Sequence, residues 1–328
     1  MTPQQTDAST LFCGYSTISP KELMIKVLPG YCLEKPTASI FWERGANDTY
    51  KVICADTSYF LRIYRCDAYT HDANEFEAEA LSYLHQKGFS VAYPVPKKSG
   101  GYITKIAAFE GTRHILISTM AEGNEPDYDS LDHCRLVGES VAKMHLTSNG
   151  FKTTRDRHGL DCQWLLENSM TVIQGYLKNS RENLTFIEAI AQKVRVAVDS
   201  VELDSLDFGI CHGDLHGGNL HIHDGKVTHF DFEECAFGYR VYDLATFKWG
   251  VCMGDAGPKR WAAFLGGYES VRPVAEEALS LVNTFVIIRE LAETAYGIRH
   301  VHYFGHNGIM ASDIDDMCNR LRKLTAMC

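Results

Sequence analysis

Several features that would settle the class of this chain at once are missing from it. No apolar run approaches the roughly 20 residues that span a bilayer, and the strongly apolar stretches, such as Phe285-Val286-Ile287-Ile288, are far shorter. A membrane partner is therefore not expected. The opening MTPQQTDAST has no basic start leading into an apolar stretch, so no secretory leader is expected. Proline is scarce, 9 in 328 residues, while 45% of the residues are hydrophobic. That excludes collagen-like and low-complexity disordered chains. No internal repeat of about 20 to 50 residues is present. Basic residues are outnumbered, 32 against 42 acidic ones, for a formal charge of −10. An acidic surface repels a phosphate backbone, which argues against nucleic acid as the main partner. It does not exclude ATP, which one local cation can hold. The 11 cysteines are odd in number and scattered (Cys13, Cys32, Cys54, Cys66 and onward), with no C-x-x-C pair. Neither a disulfide framework nor a zinc ribbon fits, so reduced thiols in a cytoplasmic protein are expected.

What is present suggests two lobes, since 328 residues exceed what one compact core organises. Ala38–Glu43, Thr49–Cys54 and Tyr59–Tyr64 read as strands of a meander, with Arg44-Gly45-Ala46-Asn47-Asp48 as the first loop. The spacing of Phe76, Ala80, Tyr83 and Leu84 predicts a helix over Asn74–Lys87, stopped by Gly88. Two more β-like runs lie near Tyr102–Ala107 and His114–Thr119. The polar segment Ala121–Pro126 reads as a linker. Beyond it, helical spacing dominates: Cys134, Val137, Val141 and Met144, then Phe186, Ile190, Val194, Val198 and Val201. Helix starts are expected at Pro258 and Pro273, the latter running to His300. The fold class is thus α+β, with a β-rich N-lobe over 1–120, including an N-terminal helical extension, and a mainly helical C-lobe over 121–328. A cleft between two such lobes is a common ligand site.

The densest chemistry lies in Cys211-His212-Gly213-Asp214-Leu215-His216-Gly217-Gly218-Asn219, continuing as LHIHDGKVTHFDFEE. Asp224-Gly225 is a two-residue hairpin signal. With those two residues in the turn, residue 223 faces 226 and Asn219 faces Phe230, which returns Asp231 to the neighbourhood of Asn219. An amide oxygen and a carboxylate are hard ligands suited to Mg²⁺. Asp214, on the Gly-rich loop before Asn219, would remain off the metal. One acid free and two ligands engaged is the usual arrangement for phosphoryl transfer from Mg·ATP.

HGDLHGGN followed by HFDFEE resembles the signature of the aminoglycoside phosphotransferase, choline kinase and homoserine kinase-type superfamily, which has a protein-kinase-like fold. RGANDTYKV resembles that family's reduced phosphate loop, FLRIYR its third strand, NEFEAEALSYL its helix with a glutamate, and FGYRVYDLA the segment after the metal aspartate. FLRIYR brings the chain nearest the bacterial stress-response kinase and homoserine-kinase-type branch. The resemblance implies an ATP- and Mg²⁺-dependent kinase acting on a hydroxyl. Asp214 would be the catalytic base, His212 a support of its loop, and Asn219 and Asp231 the metal ligands. Arg62, paired with Glu77, would hold the α- and β-phosphates, beside a loop containing Gly45 and Asn47. Backbone groups near Ser118 to Ala121, including Met120, would meet adenine. Arg62 stands where the family more often has lysine, a change that keeps the charge but alters its shape.

Other readings stay open on the sequence. His212, His216, His221, His223 and His229 could be metal ligands of a hydrolase, or solvent-facing strand residues, the reading adopted here. Glu233 and Glu234 are either exposed loop acids or grips for a cationic acceptor. Arg289, Glu293, Tyr296 and His300 form one polar stripe, either solvated or a wall of an acceptor pocket. Asp243 in YDLA reads as a brace. The acceptor is expected to be a small, amine-bearing alcohol; a protein acceptor and a pseudokinase scaffold are the alternatives.

Overall fold

The computed structural model describes residues 13–202, 206–304 and 311–326; the amino-terminal stretch read for a leader lies outside them. The chain divides into two compact units, one built from Met1–Ser82 and Ala92–Met120, the other from Tyr83–Val91 and Ala121–Cys328.

The first unit is a five-stranded antiparallel sheet in the order β1-β2-β3-β5-β4, with β1 (Ala38–Arg44), β2 (Asp48–Ile53), β3 (Ser58–Ile63), β4 (Thr104–Ala108) and β5 (Gly111–Thr119). Strand alternation sorts its side chains by face. Tyr50, Val52, Leu61, Ile63, Ile115 and Ile117 turn one way, into a core shared with Leu23, Val27, Leu28 and Tyr31. Those last residues belong to a short helical stretch that begins with α1 (Pro20–Glu22) and continues to Gly30. Arg62 alternates to the opposite face, where α2 (His71–Gln86) brings Glu77 to it. The helix starts three residues before the sequence expectation. It stops as expected, with the Gly88 N–H closing on the His85 carbonyl at 2.8 Å.

The second unit is mainly helical: α3 (Leu131–Thr147), α4 (Asn168–Leu177), α5 (Arg181–Asp199), α6 (Val241–Val251), α7 (Gly257–Glu269), α8 (Glu276–Phe304) and α9 (Ala311–Ala326). The helix expected from Pro273 begins three residues later. Two small antiparallel pairs complete the unit: β6 (Phe208–Cys211) with β9 (Ala236–Tyr239), and β7 (Leu220–His223) with β8 (Lys226–His229). The β7–β8 hairpin has the register its turn signal predicts, with Leu220 opposite His229 and His223 opposite Lys226. Asp224 and Gly225 both carry positive φ, 46° and 72°, as a type I′ turn requires. Among the described residues, no helix is long and apolar enough to cross a membrane.

Candidate active site

The loop after β6 is organised from within by Asp243, fully buried in the first turn of α6. Its Oδ2 accepts the His212 N–H at 2.8 Å and its Oδ1 the Gly213 N–H at 2.9 Å. Oδ2 also meets His145 Nε2 at 2.9 Å, and His145 Nδ1 meets the Tyr268 hydroxyl at 2.9 Å. Burial alone would raise the Asp243 pKa, but the hydrogen bonds from His145 and the backbone N–H groups outweigh it and keep the carboxyl below its ordinary range. Burial holds His145 below its ordinary range, so a neutral ring donates from Nε2 and accepts at Nδ1. Asp243 is the brace that the sequence suggested. Gly213 follows with φ +86°, and a Cβ there would sit 2.4 Å from the Glu234 carbonyl oxygen, a contact no L side chain could make.

His212 ties this loop to the strand leaving the hairpin. Its Nε2 meets the Phe230 carbonyl at 3.0 Å, and its Nδ1 accepts the Asp214 N–H at 3.4 Å. His212 and His229 are both fully buried, which corrects the solvent-facing reading for these two, whereas His223 is exposed and His216 and His221 partly so. His229 meets the Ser140 hydroxyl at 2.8 Å instead. Among the described residues no three His, Cys, Asp or Glu gather as a metal group.

Asp214 is the focus of the loop. The Arg289 guanidinium pairs with its Oδ1, the Asn219 amide donates to Oδ2 at 3.0 Å, and His216 Nε2 lies 3.3 Å from Oδ2. Burial pushes the carboxyl pKa up, but Arg289 and His216 outweigh it and hold Asp214 strongly acidic. His216 is raised in turn, chiefly by its bond to Asp214. Asn219 also donates to the Asp214 carbonyl at 2.9 Å. With its NH₂ so engaged, the amide oxygen is turned the other way. The Phe230 N–H reaches the Asn219 carbonyl at 3.1 Å, which brings Asp231 back beside Asn219 as the hairpin register required. Asp231 carries φ +59°, a left-handed conformation uncommon outside glycine and characteristic of functional sites.

Arg289 has partners within the protein that neither reading of the stripe, solvated face or pocket wall, included. Read as an acceptor contact, it is 5% exposed and held by the protein itself. Nη1 donates to the Gly213 carbonyl at 3.1 Å and the Tyr242 hydroxyl at 3.3 Å, and Nη2 lies 3.0 Å from Glu293 Oε1. Arg289 therefore fixes Asp214 rather than facing solvent. Arg289 and Glu293 of the stripe both line a cavity of about 470 Å³, together with Glu125, Tyr128, Asp214, His216 and Trp249 among others. Burial raises the Glu293 pKa, with Arg289 opposing and the charges of Asp214 and Glu234 adding to the rise. Glu125, Tyr128 and Trp249 were not singled out in the sequence. Trp249 is steered into the wall by its Nε1 donating to Glu290 Oε2 at 2.6 Å. Tyr296 lies farther along α8, its ring centre 4.1 Å from that of His300 and tilted against it. Glu233 is buried, and its carbonyl accepts the Arg157 guanidinium, so it is not an exposed loop acid. Glu234 is partly exposed, and its charge reaches Glu293 and Tyr242.

In the first unit, Arg62 Nη1 donates to Glu77 Oε1 at 2.9 Å, the pair the resemblance implied. Asn47 is 7% exposed, and its Oδ1 accepts the Arg65 N–H at 3.0 Å. That oxygen pins the loop rather than pointing into solvent. Asp48, next to it, is buried between Arg44 at 2.9 Å and Arg113 at 3.1 Å. Gly45 has open space where a Cβ would stand. Ser118 and Met120 are partly exposed at the end of β5, while the Thr119 N–H between them is committed to the Tyr93 carbonyl at 3.0 Å.

The buried histidines have a consequence for stability. His145 and His212 are both lowered, burial being the leading cause. As pH falls through about 6.5 the unfolded chain takes up these two protons and the folded one does not. With each such histidine about 1.4 kcal/mol of stability is lost per pH unit towards acid, and His114, His158 and His229 are lowered by burial in the same way. Thermal melts between pH 7.5 and 5.5 are expected to show a steep fall in Tm that is shallower, by one proton's share, in His145→Gln; a flat wild-type profile would contradict it.

An antiparallel-sheet N-lobe, a helical C-lobe and a braced Asp-Asn-Asp loop together define a protein-kinase-like phosphotransferase. The matching family model is that of the phosphotransferase enzyme family, over residues 37–278, and the chain belongs to it. It is a kinase acting on hydroxyl groups of small molecules. An uncharacterized protein of Synechocystis sp. is 32% identical over 275 residues, covering 83% of this chain and 76% of that one. A homoserine kinase of Neisseria meningitidis is 27% identical, covering 80% of this chain and 83% of that one. Among solved structures, an amicoumacin kinase in complex with AMP-PNP, Ca²⁺ and amicoumacin superposes with a TM-score of 0.75 at 20% identity, covering 92% of each chain. A microcompartment-associated aminopropanol kinase does so with a TM-score of 0.75 at 19% identity, covering 91% of this chain and 93% of that one. These relatives do not favour a protein acceptor.

Proposed function

We propose that this chain is an ATP- and Mg²⁺-dependent kinase that moves the γ-phosphoryl group to a hydroxyl of a small, amine-bearing acceptor in the cytoplasm. One observation carries the reading. Asp214 stands in the wall of a cavity whose other carboxylates are Glu125 and Glu293, so an acceptor held by its ammonium group there presents its hydroxyl to an ionised carboxylate. The aromatic surfaces of Tyr128, Phe247 and Trp249 suit the apolar part of such a molecule and add cation–π attraction. The relatives named above include kinases of homoserine and of aminopropanol, both amine-bearing alcohols.

Asn219 and Asp231 fit a hard divalent cation. The Asn219 amide is oriented by its own hydrogen bonds so that oxygen remains to face a ligand, and a carboxylate beside it completes an oxygen pair. When bound, Mg²⁺ offsets charge on the phosphates. Asp214 accepts a hydrogen bond from the acceptor hydroxyl and aligns its lone pair. A carboxyl held so acidic is a weak base towards a free alcohol, so orientation comes first and the proton moves late, as a loose transition state allows. Arg62, steadied by Glu77, holds the α- and β-phosphates. The Gly45 loop covers them, and backbone around Ser118 and Met120 receives the base.

The test is coupled ADP release over small amino alcohols paired with their deaminated analogues, with Mg²⁺ present. Turnover is expected only with the amine-bearing member. Binding of AMP-PNP without ADP release from any acceptor would leave a pseudokinase instead. Glu293→Gln is expected to raise KM for the amine acceptor about tenfold, equivalent to ~1.4 kcal/mol, while KM for ATP stays put. Equal KM values for both substrates in the variant and wild type would remove Glu293 from the acceptor site.

A further inference from the structure

Arg62 occupies a position for which lysine is the more familiar solution, and the two cations meet a carboxylate differently. A lysine ammonium makes a point contact. A guanidinium facing an uncommitted carboxylate closes a planar two-point fork on it. Such a fork on Glu77 would draw Arg62 towards the helix and away from the phosphates.

The first unit contains a side chain that competes with that fork. Tyr64 is two residues beyond Arg62 and, by strand alternation, turns to the same side. It is 1% exposed, and its hydroxyl donates to Glu77 Oε2 at 2.6 Å, while Arg62 Nη1 donates to Oε1 at 2.9 Å. The two oxygens of one carboxylate, itself 1% exposed, are thus shared between a phenol and a guanidinium. The Tyr64 ring is fixed by a cluster with Ala78, Ile103 and Leu116, and its backbone N–H donates to the His114 carbonyl at 2.9 Å. The phenol therefore does not drift off its oxygen. Its ring centre is 5.7 Å from the Arg62 guanidinium carbon, which steadies the cation from the side as well. The Arg62 side chain keeps 19% of its surface exposed, against 1% for Glu77.

We propose that Tyr64 is a positioning residue for nucleotide binding: by occupying Oε2 of Glu77 it holds Arg62 to a lysine-like point contact and keeps the guanidinium turned towards phosphate. The proposal rests on the reading of Arg62 as the phosphate cation. It carries a signature that ordinary core packing would not have, because the need for the phenol depends on which cation stands at position 62. Lysine cannot fork, so it has no use for a competitor at Oε2.

The experiment is a double-mutant cycle read by calorimetric titration of the full chain with AMP-PNP and Mg²⁺. Tyr64→Phe in the wild-type background is expected to weaken AMP-PNP binding about tenfold, the scale of one hydrogen bond to a charged group. In the Arg62→Lys background the same change is expected to alter binding less than about twofold. ADP-release kinetics should move in KM for ATP while KM for the acceptor is kept. Thermal melts of all four proteins report any common loss of stability. An equal loss of affinity in both backgrounds, or a fall in Tm with no change in affinity, would overturn the positioning role and make Tyr64 a packing residue. A wild-type chain that bound no AMP-PNP would instead overturn the kinase reading beneath it.

Discussion

Asp214→Asn is expected to lower kcat by about 10²–10⁴-fold, the range for losing a positioned acid–base group, with KM for ATP kept within about twofold. Asparagine preserves the shape of the side chain and one acceptor oxygen. It removes the negative charge that orients the acceptor hydroxyl and the site to which its proton goes. The substitution also removes one partner of Arg289, but that guanidinium retains Glu293, the Gly213 carbonyl and the Tyr242 hydroxyl. No buried cation is stranded, so Tm should fall little. Coupled ADP release gives kcat and titration with AMP-PNP gives nucleotide affinity. Full turnover in the variant would show that the hydroxyl is oriented by something else, and the mechanism would fail. A large loss of nucleotide affinity would show that Asp214 serves binding rather than the transfer step.

The same ion pair shows where sequence reasoning stopped. The hairpin register was legible because turn chemistry is local: Asp224-Gly225 fixes which residues face each other, and Asn219 and Asp231 meet as a consequence. The meander and α2 were legible because alternation and helical spacing are local as well. Arg289 and Asp214 stand 75 residues apart, and nothing local couples them. The polar stripe on α8 was visible, but its environment was not. On a surface helix such a stripe meets water; α8 is instead contacted by α4, α5, α6 and α9. A polar residue on a helix enclosed on several sides must find partners inside the protein. Arg289 finds the Asp214 carboxylate, and Glu290 finds Trp249 and Arg320. His229 of β8 was misread for a related reason, while His223 of β7 is exposed as expected. Alternation tells which residues share a face of a strand, but not whether that face is covered. Ser140 of α3 and Phe89 cover the face that carries His229. The glycines and histidines of the site drew attention because they are unusual in sequence. Tyr64 and Tyr128 did not, since an aromatic residue at strand or loop spacing looks like ordinary core.

The second large effect is expected at a residue that touches no substrate. Asp243→Ala removes the acceptor for two backbone N–H groups, those of His212 and Gly213, and the partner of His145. All of these groups are buried, so water does not replace what is lost. Leaving a buried donor without its acceptor costs about 1–3 kcal/mol, and three are stranded here, which corresponds to a fall in Tm of roughly 10 °C or more for a domain of about 200 residues. Asp243→Asn should fall between wild type and alanine, because its amide keeps one acceptor oxygen but turns an NH₂ group towards a site that needs a second. The pH dependence separates this residue from the histidines. The folded-state pKa of Asp243 is held below its ordinary range, so its contribution is fully present above about pH 4 and is lost as pH falls through the folded value. The gap in Tm between wild type and Asp243→Ala should therefore persist from pH 8 to 5 and close only below about 4, a range in which the histidines have already titrated in the unfolded chain. The loop that carries Asp214 is built on these bonds, so kcat should fall together with Tm in Asp243→Ala, whereas in Asp214→Asn it falls alone. Scanning calorimetry and ADP release on the same three proteins distinguish the two patterns. A loss of turnover in Asp243→Ala at unchanged Tm would make Asp243 a participant in the reaction rather than its brace.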